Sequence, residues 1–400
     1  MDRAELASTP IGTDDANINA AAGVVPRASA SNVDYERDVY CLMGLPIDAL
    51  GMDGAVHYVR QAAFSNTRCF VSTPNLNFLI RARGDVPFRN SVLHSNLSLA
   101  DGMPLVWVAR LLGLPIRERV SGASLFERLL HHPGPPLTVF FLGGPAGAAE
   151  AACRCVNQVA GGLRCVGYET PGFGSVEEMS TAGRIDQINR SGAQFVVVAL
   201  GADKGQAWIE RNRTHLHAPV LCHLGAVVNF AAGTVRRAPA WLQALGAEWL
   251  WRIRQEPRLW RRYWHDGVSF LHVLLRQMLP LAIDLRWGSP SQDELERASI
   301  SVIQTPQQTR LELRGAWARG NLAPLRLALQ RAQDGTTHVV LSLAAVTHVD
   351  GAFLGLVLLA HGAVASPRRL VIRHASPRVA RIFNHSGVAF LLVRPSQDHE

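Results

Sequence analysis

The chain has 400 residues, of which 48% are hydrophobic and 18% are charged, and this composition excludes a largely disordered protein. At ~150 residues per domain, such a length corresponds to two or three domains. Lys and Arg number 40 against 32 Asp and Glu, and the formal charge of +8 favours anionic partners such as phosphates or acidic lipid.

The first residues carry Asp and Glu where a secretion signal would carry basic residues, and they lack a continuous apolar segment. Six cysteines form neither a disulfide framework nor a CxxC pair, so we expect a reducing cytoplasm. Residues 1–36 show no helical or strand period, and we expect a flexible tail there.

From Val39 onward, short apolar runs alternate with amphipathic segments, beginning with VYCLMGLPIDAL and continuing through RCFVSTPN, LTVFFLGG and GAQFVVVALG. This alternation predicts an α/β fold over residues 37–235, with a Rossmann-like, doubly wound parallel sheet. Ligands of such sheets bind beyond the carboxyl ends of the strands. Those positions also favour turn-forming residues, so each is a candidate only; they are Thr73, Asn75, Asp101, Gly143, Gly144, Gly201 and Lys204.

A basic, Trp-rich segment follows over residues 236–286, in which only Glu248 and Glu256 oppose the arginines before Tyr263. Arg276 and Pro280 interrupt its most apolar stretch, which is too short and broken to predict a transmembrane helix. Arg and Trp on amphipathic helices are typical of bilayer interfaces, and we expect a membrane-associating appendage. An ordinary helical subdomain with inward tryptophans is the alternative, whereas a nucleic-acid interface lacks any supporting motif.

Residues 287–297 are predicted to be a linker, and residues 298–400 a second, small α/β domain. Such a unit is large enough to fold alone. Its predicted strands cover 311–313, 339–343 and 370–372, and its predicted helices cover 322–332, 352–363 and 377–384.

Several motifs between about residues 39 and 263 occur in the order of a known family. They are STPNLNFL (72–79), LADGMPLVWVARLLGLPIRERVSGASLF (99–126), VFFLGG (139–144), ALGADKGQAWIERN (199–212), AAGTVRRAPAWLQALGAEWLWRIRQEP (231–257) and RRY (261–263). The chain thereby resembles the WecG/TagA/CpsF family of bacterial glycosyltransferases. The resemblance implies inverting transfer of a hexose from a UDP-sugar to a polyprenyl-diphosphate-linked saccharide at the inner membrane face. The products would be exopolysaccharide or cell-surface glycans, and no cofactor is implied.

The resemblance places the family's catalytic residues on Thr73, Asn75, Asp101 and Arg119. An inverting transfer needs a carboxylate to take the proton of the attacking hydroxyl, and donors or cations to hold the departing diphosphate. Asp101 is the expected base and Arg119 the expected cation, with Thr73 and Asn75 as positioning groups. Taken without the resemblance, Asp101 is better interpreted as a helix cap or turn former ahead of Gly102.

Gly143 and Gly144 precede a predicted helix from Ala148, and we expect free backbone N–H groups there to meet donor phosphate. The chain lacks a DxD pair, and the adjacent His131 and His132 cannot face one site, so we predict transfer without metal. The other expected donor-binding residues are Lys204, Gln206, Gly225 and Asn229. The expected contacts to acceptor diphosphate or membrane are Arg237, Arg252, Arg258 and Arg261.

Two motifs depart from the family's pattern. PKQE becomes DKGQ, which puts Gly205 in place of a glutamine, and a one-residue slip would bring Gln206 into the vacated place. GVGGxFD becomes HLGAVVN, so His223 and Ala226 would crowd or reshape the donor pocket, and Asn229 replaces an aspartate. We expect either a different donor or weakened activity.

The second domain resembles the STAS domain of anti-sigma-factor antagonists, through LSLAAVTHVDGAFLGLVLLAHG, LVIRHASPRVARIF and HSGV. Phosphorylatable members carry Asp-Ser-Ser-Gly where this chain has Asp350, Gly351, Ala352 and Phe353. Without a hydroxyl acceptor, a constitutive docking role is expected rather than a phosphoswitch, and a stabilising appendage is the alternative. A second hypothesis for the whole chain is a weakened transferase acting as a scaffold, with residues 298–395 binding a protein partner.

Overall fold

The computed structural model of the chain describes residues 33–233, 238–239, 241–242, 246–334, 338–363 and 370–393, apart from the side chains at 258, 333 and 334. These residues all belong to one compact unit. Residues 1–32 of the predicted tail lie outside them. Within its last residues, Tyr35 is 5% exposed, and its carbonyl accepts a hydrogen bond from Arg326 in the C-terminal region.

The first apolar run forms a hairpin of two antiparallel strands, β1 (Val39–Leu42) and β2 (Leu45–Asp48). Met43 and Gly44 make the turn with φ of 51° and 92°, the left-handed backbone that favours a two-residue hairpin. The hairpin lies outside the main sheet, so the prediction that this run begins the parallel alternation is wrong. A two-residue turn can connect only antiparallel strands, since parallel neighbours need a long crossover.

The predicted parallel sheet is confirmed, and it has six strands. In chain order they are β3 (Cys69–Ser72), β4 (Leu97–Ser98), β5 (Leu137–Gly143), β6 (Leu163–Glu169), β7 (Phe195–Ala199) and β8 (Val220–His223). Their spatial order is β4-β3-β8-β7-β5-β6, and every neighbouring pair is parallel. Because the strands run in one direction, their carboxyl ends meet at one edge of the sheet.

Helices cover both faces of this sheet, which explains why its inner strands β3, β5, β7 and β8 are mostly apolar. Along β5, Val139 and Phe141 enter one buried cluster, whereas Phe140 and Leu142 enter another that contains Trp208. Each buried Phe stabilises the fold by about 1.5–3 kcal/mol. The helices are α1 (Met52–Phe64), α2 (Leu76–Ala82), α3 (Val86–Leu93), α4 (Met103–Leu111), α5 (Gly122–Leu130), α6 (Ala148–Gln158), α7 (Ala182–Arg190), α8 (Ala202–Asn212) and α9 (Val227–Ala231).

A disulfide joins Cys153 of α6 to Cys165 of β6. The sequence analysis predicted neither a disulfide framework nor a CxxC pair, and it did not foresee this single bridge between residues 12 positions apart. The α6–β6 turn brings them within bonding distance.

The basic segment forms two described helices, α10 (Glu248–Gln255) and α11 (Trp260–Trp287). The expectation that Arg276 and Pro280 break its apolar stretch is wrong, because α11 is continuous over 28 residues. A π-helical turn at Leu274–Met278 puts Pro280 in the first turn of the following α-helical part, where its missing N–H costs little. Length and composition alone would let α11 cross a membrane.

The predicted linker contains a short helix, α12 (Gln292–Glu296), whose N-terminus is stabilised by a capping box between Ser291 and Glu294. The following small α/β unit has a four-stranded sheet of order β12-β11-β10-β9, in which the edge strand β9 is antiparallel. The predicted strands and helices of this unit are present, and β9 was not foreseen. The elements are β9 (Ser299–Gln304), β10 (Gln308–Trp317), α13 (Ala323–Asp334), β11 (His338–Val349), α14 (Gly351–Ala363), β12 (Leu370–Arg373) and α15 (Pro377–His385).

Helix α14 is apolar on every side because it is covered on two sides, by its own sheet and by the β1–β2 hairpin. Gly355 marks the closest approach, since a Cβ at this position would lie 2.3 Å from the Val39 carbonyl oxygen. The small α/β unit and the N-terminal hairpin therefore share one hydrophobic core.

Candidate active site

A cavity of about 890 Å³ opens at the carboxyl-end edge of the six-stranded sheet. Loops after β3, β4 and β8 line one side, and α10 and α11 line the other. The sheet side is rich in polar groups, including Thr73, Asp101 and Arg119, while the helical side presents Trp249, Trp260 and other large apolar side chains. The cavity therefore joins a polar floor to an apolar wall.

Asp101 lies at this floor, in the loop between β4 and α4. Its Oδ2 accepts a hydrogen bond from the backbone N–H of Gly122 at 3.3 Å, and its Oδ1 lies 3.5 Å from Nε of Arg119. Burial raises the pKa of Asp101, although Arg119 and the Gly122 N–H oppose that shift. Asp101 does not cap α4, since Gly102 is the N-cap of that helix, but the Gly122 N–H that Asp101 accepts belongs to the first residue of α5.

Arg119 connects Asp101 to the basic appendage. Its Nη2 donates to Oε2 of Glu248 at 2.5 Å, and Glu248 is the first residue of α10. Burial alone would lower the pKa of Arg119, but Asp101 and Glu248 together raise it, so the guanidinium stays charged. The sequence analysis did not assign Glu248 to the site. Its signal was available, because Glu248 is one of only two acids among the arginines of this segment before Tyr263.

Thr73 and Asn75 follow β3 and both line the cavity. Thr73 is 7% exposed and lies beside the start of α5. Asn75 has a structural task as well, since its Oδ1 accepts from the Phe78 backbone N–H at 3.1 Å and caps α2. Asn75 therefore caps α2 and holds this helix at the cavity rim.

Gly143 and Gly144 form a tight turn after β5 with φ of 99° and 89°. The expectation of free N–H groups is wrong for Gly144, whose N–H donates to the Ala199 carbonyl at 3.0 Å. A Cβ on Gly143 would lie 2.7 Å from the same oxygen, so this turn is built for close packing against β7. Neither glycine is among the residues described as lining the cavity.

One of the remaining donor-binding candidates, Gly225, lines the cavity. Lys204 is directed elsewhere, as its Nζ donates to the Gly174 carbonyl at 2.8 Å. Gln206 is 1% exposed, and its Nε2 donates to Ser72 Oγ at 3.0 Å. Asn229 lies on α9, half-buried and outside the described cavity lining.

The one-residue slip that would bring Gln206 into the place vacated at position 205 does not occur. That space holds the ring of His223, because a Cβ at position 205 would lie 2.1 Å from His223 Cδ2. His223 lines the cavity, and its expected effect on the shape of the donor pocket stays a prediction. Gln206 is directed to Ser72 of β3 instead, because consecutive positions of α8 are about 100° apart around the helix axis.

Among the four arginines predicted to meet diphosphate or membrane, Arg252 lines the cavity. Arg261 is exposed and lies over the Trp260 ring, 5.8 Å from its centroid. Arg237 lies outside the described residues, as does the side chain of Arg258.

Helix α11 is held against α2 by polar contacts in its first half. Asp266 is 5% exposed, accepts from Asn77 Nδ2 at 3.2 Å and lies 3.9 Å from Arg262 Nε. Val273 and Met278 are buried further along. The opposite face stays open, and it carries Trp264, Val268, Leu271, Leu275, Leu279, Ile283 and Trp287, which are 36–87% exposed.

Comparison with known proteins gives two family matches. Residues 40–283 match the Glycosyl transferase WecG/TagA/CpsF family, and residues 300–393 match a family described as Mlab, STAS domain.

Two curated relatives have the same description, N-acetylglucosaminyldiphosphoundecaprenol N-acetyl-beta-D-mannosaminyltransferase. The protein of Bacillus spizizenii (strain ATCC 23059 / NRRL B-14472 / W23) is 27% identical over 198 residues, which cover 49% of this chain and 75% of the relative. The protein of Bacillus subtilis (strain 168) is 26% identical over 207 residues, covering 52% and 77%. One similar solved structure is that of the anti-sigma factor antagonist SpoIIAA in its unphosphorylated form, at 19% identity and a TM-score of 0.22, covering 24% of this chain and 86% of that one.

Proposed function

Because the chain belongs to the WecG/TagA/CpsF family of glycosyl transferases, we propose that it moves a hexose or hexose derivative from a UDP-sugar to a polyprenyl-diphosphate-linked saccharide. The reaction inverts the anomeric centre and serves exopolysaccharide or cell-surface glycan synthesis. The names of the two Bacillus relatives describe sugar transfer to N-acetylglucosaminyl-diphosphoundecaprenol, which supports this class of acceptor.

One observation carries the proposal: a half-buried carboxylate, Asp101, faces the cavity and is paired with Arg119 and the Gly122 N–H. Asp101 takes the proton of the attacking acceptor hydroxyl, whose oxygen forms the new bond to the anomeric carbon. The bond from that carbon to the diphosphate oxygen breaks, and UDP leaves with the electron pair. Arg119 stabilises the charge that develops on the diphosphate. No metal ion is needed for these steps.

The raised pKa of Asp101 suits a general base, because a more basic carboxylate takes a hydroxyl proton more readily. Glu248 keeps Arg119 within reach of the carboxylate from the other side. Thr73 and Asn75 position the sugar at the floor, and Arg252 meets diphosphate from the helical wall.

The open face of α11 supports association with the inner membrane surface. Its seven exposed apolar side chains recur every three or four residues, which places them in a single stripe along about 35 Å of helix. We call these residues the α11 stripe. Since the opposite face is packed on the protein, the helix lies in the bilayer interface rather than crossing it. Exposed Arg261 and Arg276 flank the stripe and meet anionic headgroups.

The membrane helix and the cavity are continuous, because Trp264, Val268 and Leu271 belong to both the stripe and the cavity wall. This arrangement lets the diphosphate of the acceptor reach Asp101 while the polyprenyl chain stays in lipid. In this organisation residues 37–235 form the transferase domain, residues 236–286 the membrane appendage and residues 298–400 the STAS-like domain.

A transfer assay in detergent tests the proposal, with EDTA present and N-acetylglucosaminyl-diphosphate-polyprenol as acceptor. A panel of UDP-hexoses that includes UDP-N-acetylmannosamine is offered as donors. We expect product from one donor or a few, undiminished by EDTA. Absence of product with every donor, from folded protein that binds anionic liposomes, would overturn the proposed activity while leaving the membrane association in place.

A further inference from the structure

The strongest unexplained feature of the cavity is the pair formed by Gly205 of α8 and His223 at the end of β8. A Cβ at position 205 would lie 2.1 Å from Cδ2, 2.8 Å from Cγ and 3.0 Å from Nε2 of His223. These distances are shorter than real carbon contacts, so the imidazole occupies the space that a side chain at 205 would need. The absence of a side chain at one position and the ring at the other are a single structural feature.

The imidazole carries an unpaired hydrogen-bonding atom at the cavity wall. His223 is only 8% exposed, it lines the cavity, and its Nε2 has no hydrogen-bond partner among the described residues. Nε2 is itself buried and lies beside Gly225, a residue of the cavity lining, where a Cβ would be 3.2 Å away. Buried polar atoms nearly always have a partner, and an unpaired one at a cavity wall points to a ligand.

The charge state of the ring selects the kind of ligand group. Burial lowers the pKa of His223 to about 4, so the imidazole is neutral at physiological pH. A neutral imidazole offers one donor and one acceptor, which match a hydroxyl or an amide. A diphosphate is better held by cations, and Arg119 and Arg252 supply these at the same cavity.

We propose that His223 is a specificity-determining residue for the transferred sugar, whose hydroxyl or acetamido group hydrogen-bonds Nε2, and that Gly205 is the matched position that makes room for it. This inference rests on the proposed transferase function and adds the part of the donor that His223 recognises. Sites that hydrogen-bond a substrate polar group reject analogues that lack it, because the buried protein atom is left unpaired.

His223→Phe tests the inference, since it keeps a ring in the space beside Gly205 and removes the nitrogen. We expect kcat/KM for the preferred UDP-sugar to fall at least tenfold, with affinity for UDP alone unchanged. Wild-type protein should discriminate against donor analogues that lack the bonded hydroxyl or acetamido group, and the variant should lose that discrimination.

His348→Phe is the matched control, because His348 is a histidine of β11, 4% exposed, with an unpaired Nδ1 and a pKa lowered by burial to about 4. It lies outside the cavity lining, and donor selectivity should not change. Unaltered selectivity in His223→Phe would overturn the inference and leave the transferase function standing. An equal loss of UDP binding would overturn the assignment to the sugar. If wild-type protein transfers from no donor, both proposals fail together.

A second measurement tests the shared space without substrate. Gly205→Ala should lower the melting temperature by several degrees, because the new Cβ collides with the ring, and adding His223→Ala should recover most of that loss. Gly183→Ala on α7 is the control, since a Cβ there meets nothing within 4 Å. Wild-type stability of Gly205→Ala would contradict the pairing.

Discussion

Two aspartates occupy equivalent positions in the two α/β units, and their surroundings differ. Asp101 and Asp350 each follow a strand and precede a glycine, and burial raises the pKa of both. Asp350 is satisfied by backbone, since Oδ1 accepts from Phe353 N–H and Oδ2 from Arg319 N–H, both at 2.9 Å. Asp101 has a guanidinium and a single backbone donor, and it faces a cavity. The Asp-Gly pair alone therefore identifies neither a base nor a cap; the groups that reach the carboxylate decide.

The surroundings differ beyond these hydrogen bonds as well, since Asp101 faces a cavity whereas the helix after Asp350 is covered by protein. Helix α14, which Asp350 caps, is covered by the β1–β2 hairpin, and a Cβ on Gly351 would lie 2.7 Å from Leu114. That helix is an internal part of the molecule. A docking role of residues 298–395 stays a prediction, and it would have to use another surface. The comparison sets a carboxylate that faces a cavity against one that caps a covered helix, and the predictions below probe each.

The largest expected effect is on catalysis. Asp101→Asn removes the base, while the side-chain oxygen of Asn can still accept the Gly122 N–H at the start of α5, so kcat should fall about 10²- to 10⁴-fold and the melting temperature should stay within a few degrees. Steady-state kinetics with the preferred donor and thermal unfolding measure both quantities. Full transfer activity in this variant would show that another group is the base.

On the folding side, Gly355→Ala should destabilise the protein by about 3 kcal/mol, because its Cβ meets the Val39 carbonyl at 2.3 Å. Gly320→Ala is the control, as a Cβ there meets nothing within 4 Å, and its effect should stay near 0.5 kcal/mol or less. Denaturant unfolding measures the difference. Equal stabilities of the two variants would show that α14 and the hairpin do not share a core.

The α11 stripe gives the next effect. Leu275 and Ile283 are 54% and 49% exposed and do not line the cavity, so Leu275→Glu with Ile283→Glu should weaken liposome binding at least tenfold. His272→Glu adds a charge beside the stripe and should have a smaller effect. Cosedimentation with anionic vesicles measures binding, and wild-type binding by the double variant would rule out the stripe as the membrane face.

The smallest effect concerns pH. Glu248 raises the pKa of Asp101, so Glu248→Gln should lower it and move the acid limb of kcat/KM to lower pH. Activity is lost as pH falls because the base becomes protonated. Glu256→Gln, an exposed acid outside the cavity lining, is the control and should leave the profile unchanged. An upward movement of the limb in Glu248→Gln would contradict the charge coupling.

The sequence predicted those parts of the fold and site that have a local pattern. Alternating apolar strands predicted the parallel sheet, since burial on both faces leaves a continuous apolar signature. The family motifs identified four residues that all line one cavity, namely Thr73, Asn75, Asp101 and Arg119. The sequence did not predict the hairpin, because its apolar run resembles a single buried strand and no turn was predicted at Met43 and Gly44.

The features that the sequence did not predict depend on contacts between residues that are far apart in the chain. Glu248 is joined to Arg119 across 129 positions, and His223 fills space beside Gly205 on a neighbouring element. Gly144 loses its N–H to Ala199 for the same reason. Such pairings follow from packing in three dimensions, and one residue of each pair carries no signal of the other.

The most direct test places the two aspartates in one experiment, in which Asp101→Asn and Asp350→Asn are compared for sugar transfer and for thermal unfolding. The account predicts a crossed result: Asp101→Asn loses transfer and keeps its stability, whereas Asp350→Asn loses about 1 kcal/mol of stability and keeps transfer per folded molecule. Transfer retained by Asp101→Asn and abolished in folded Asp350→Asn would contradict it.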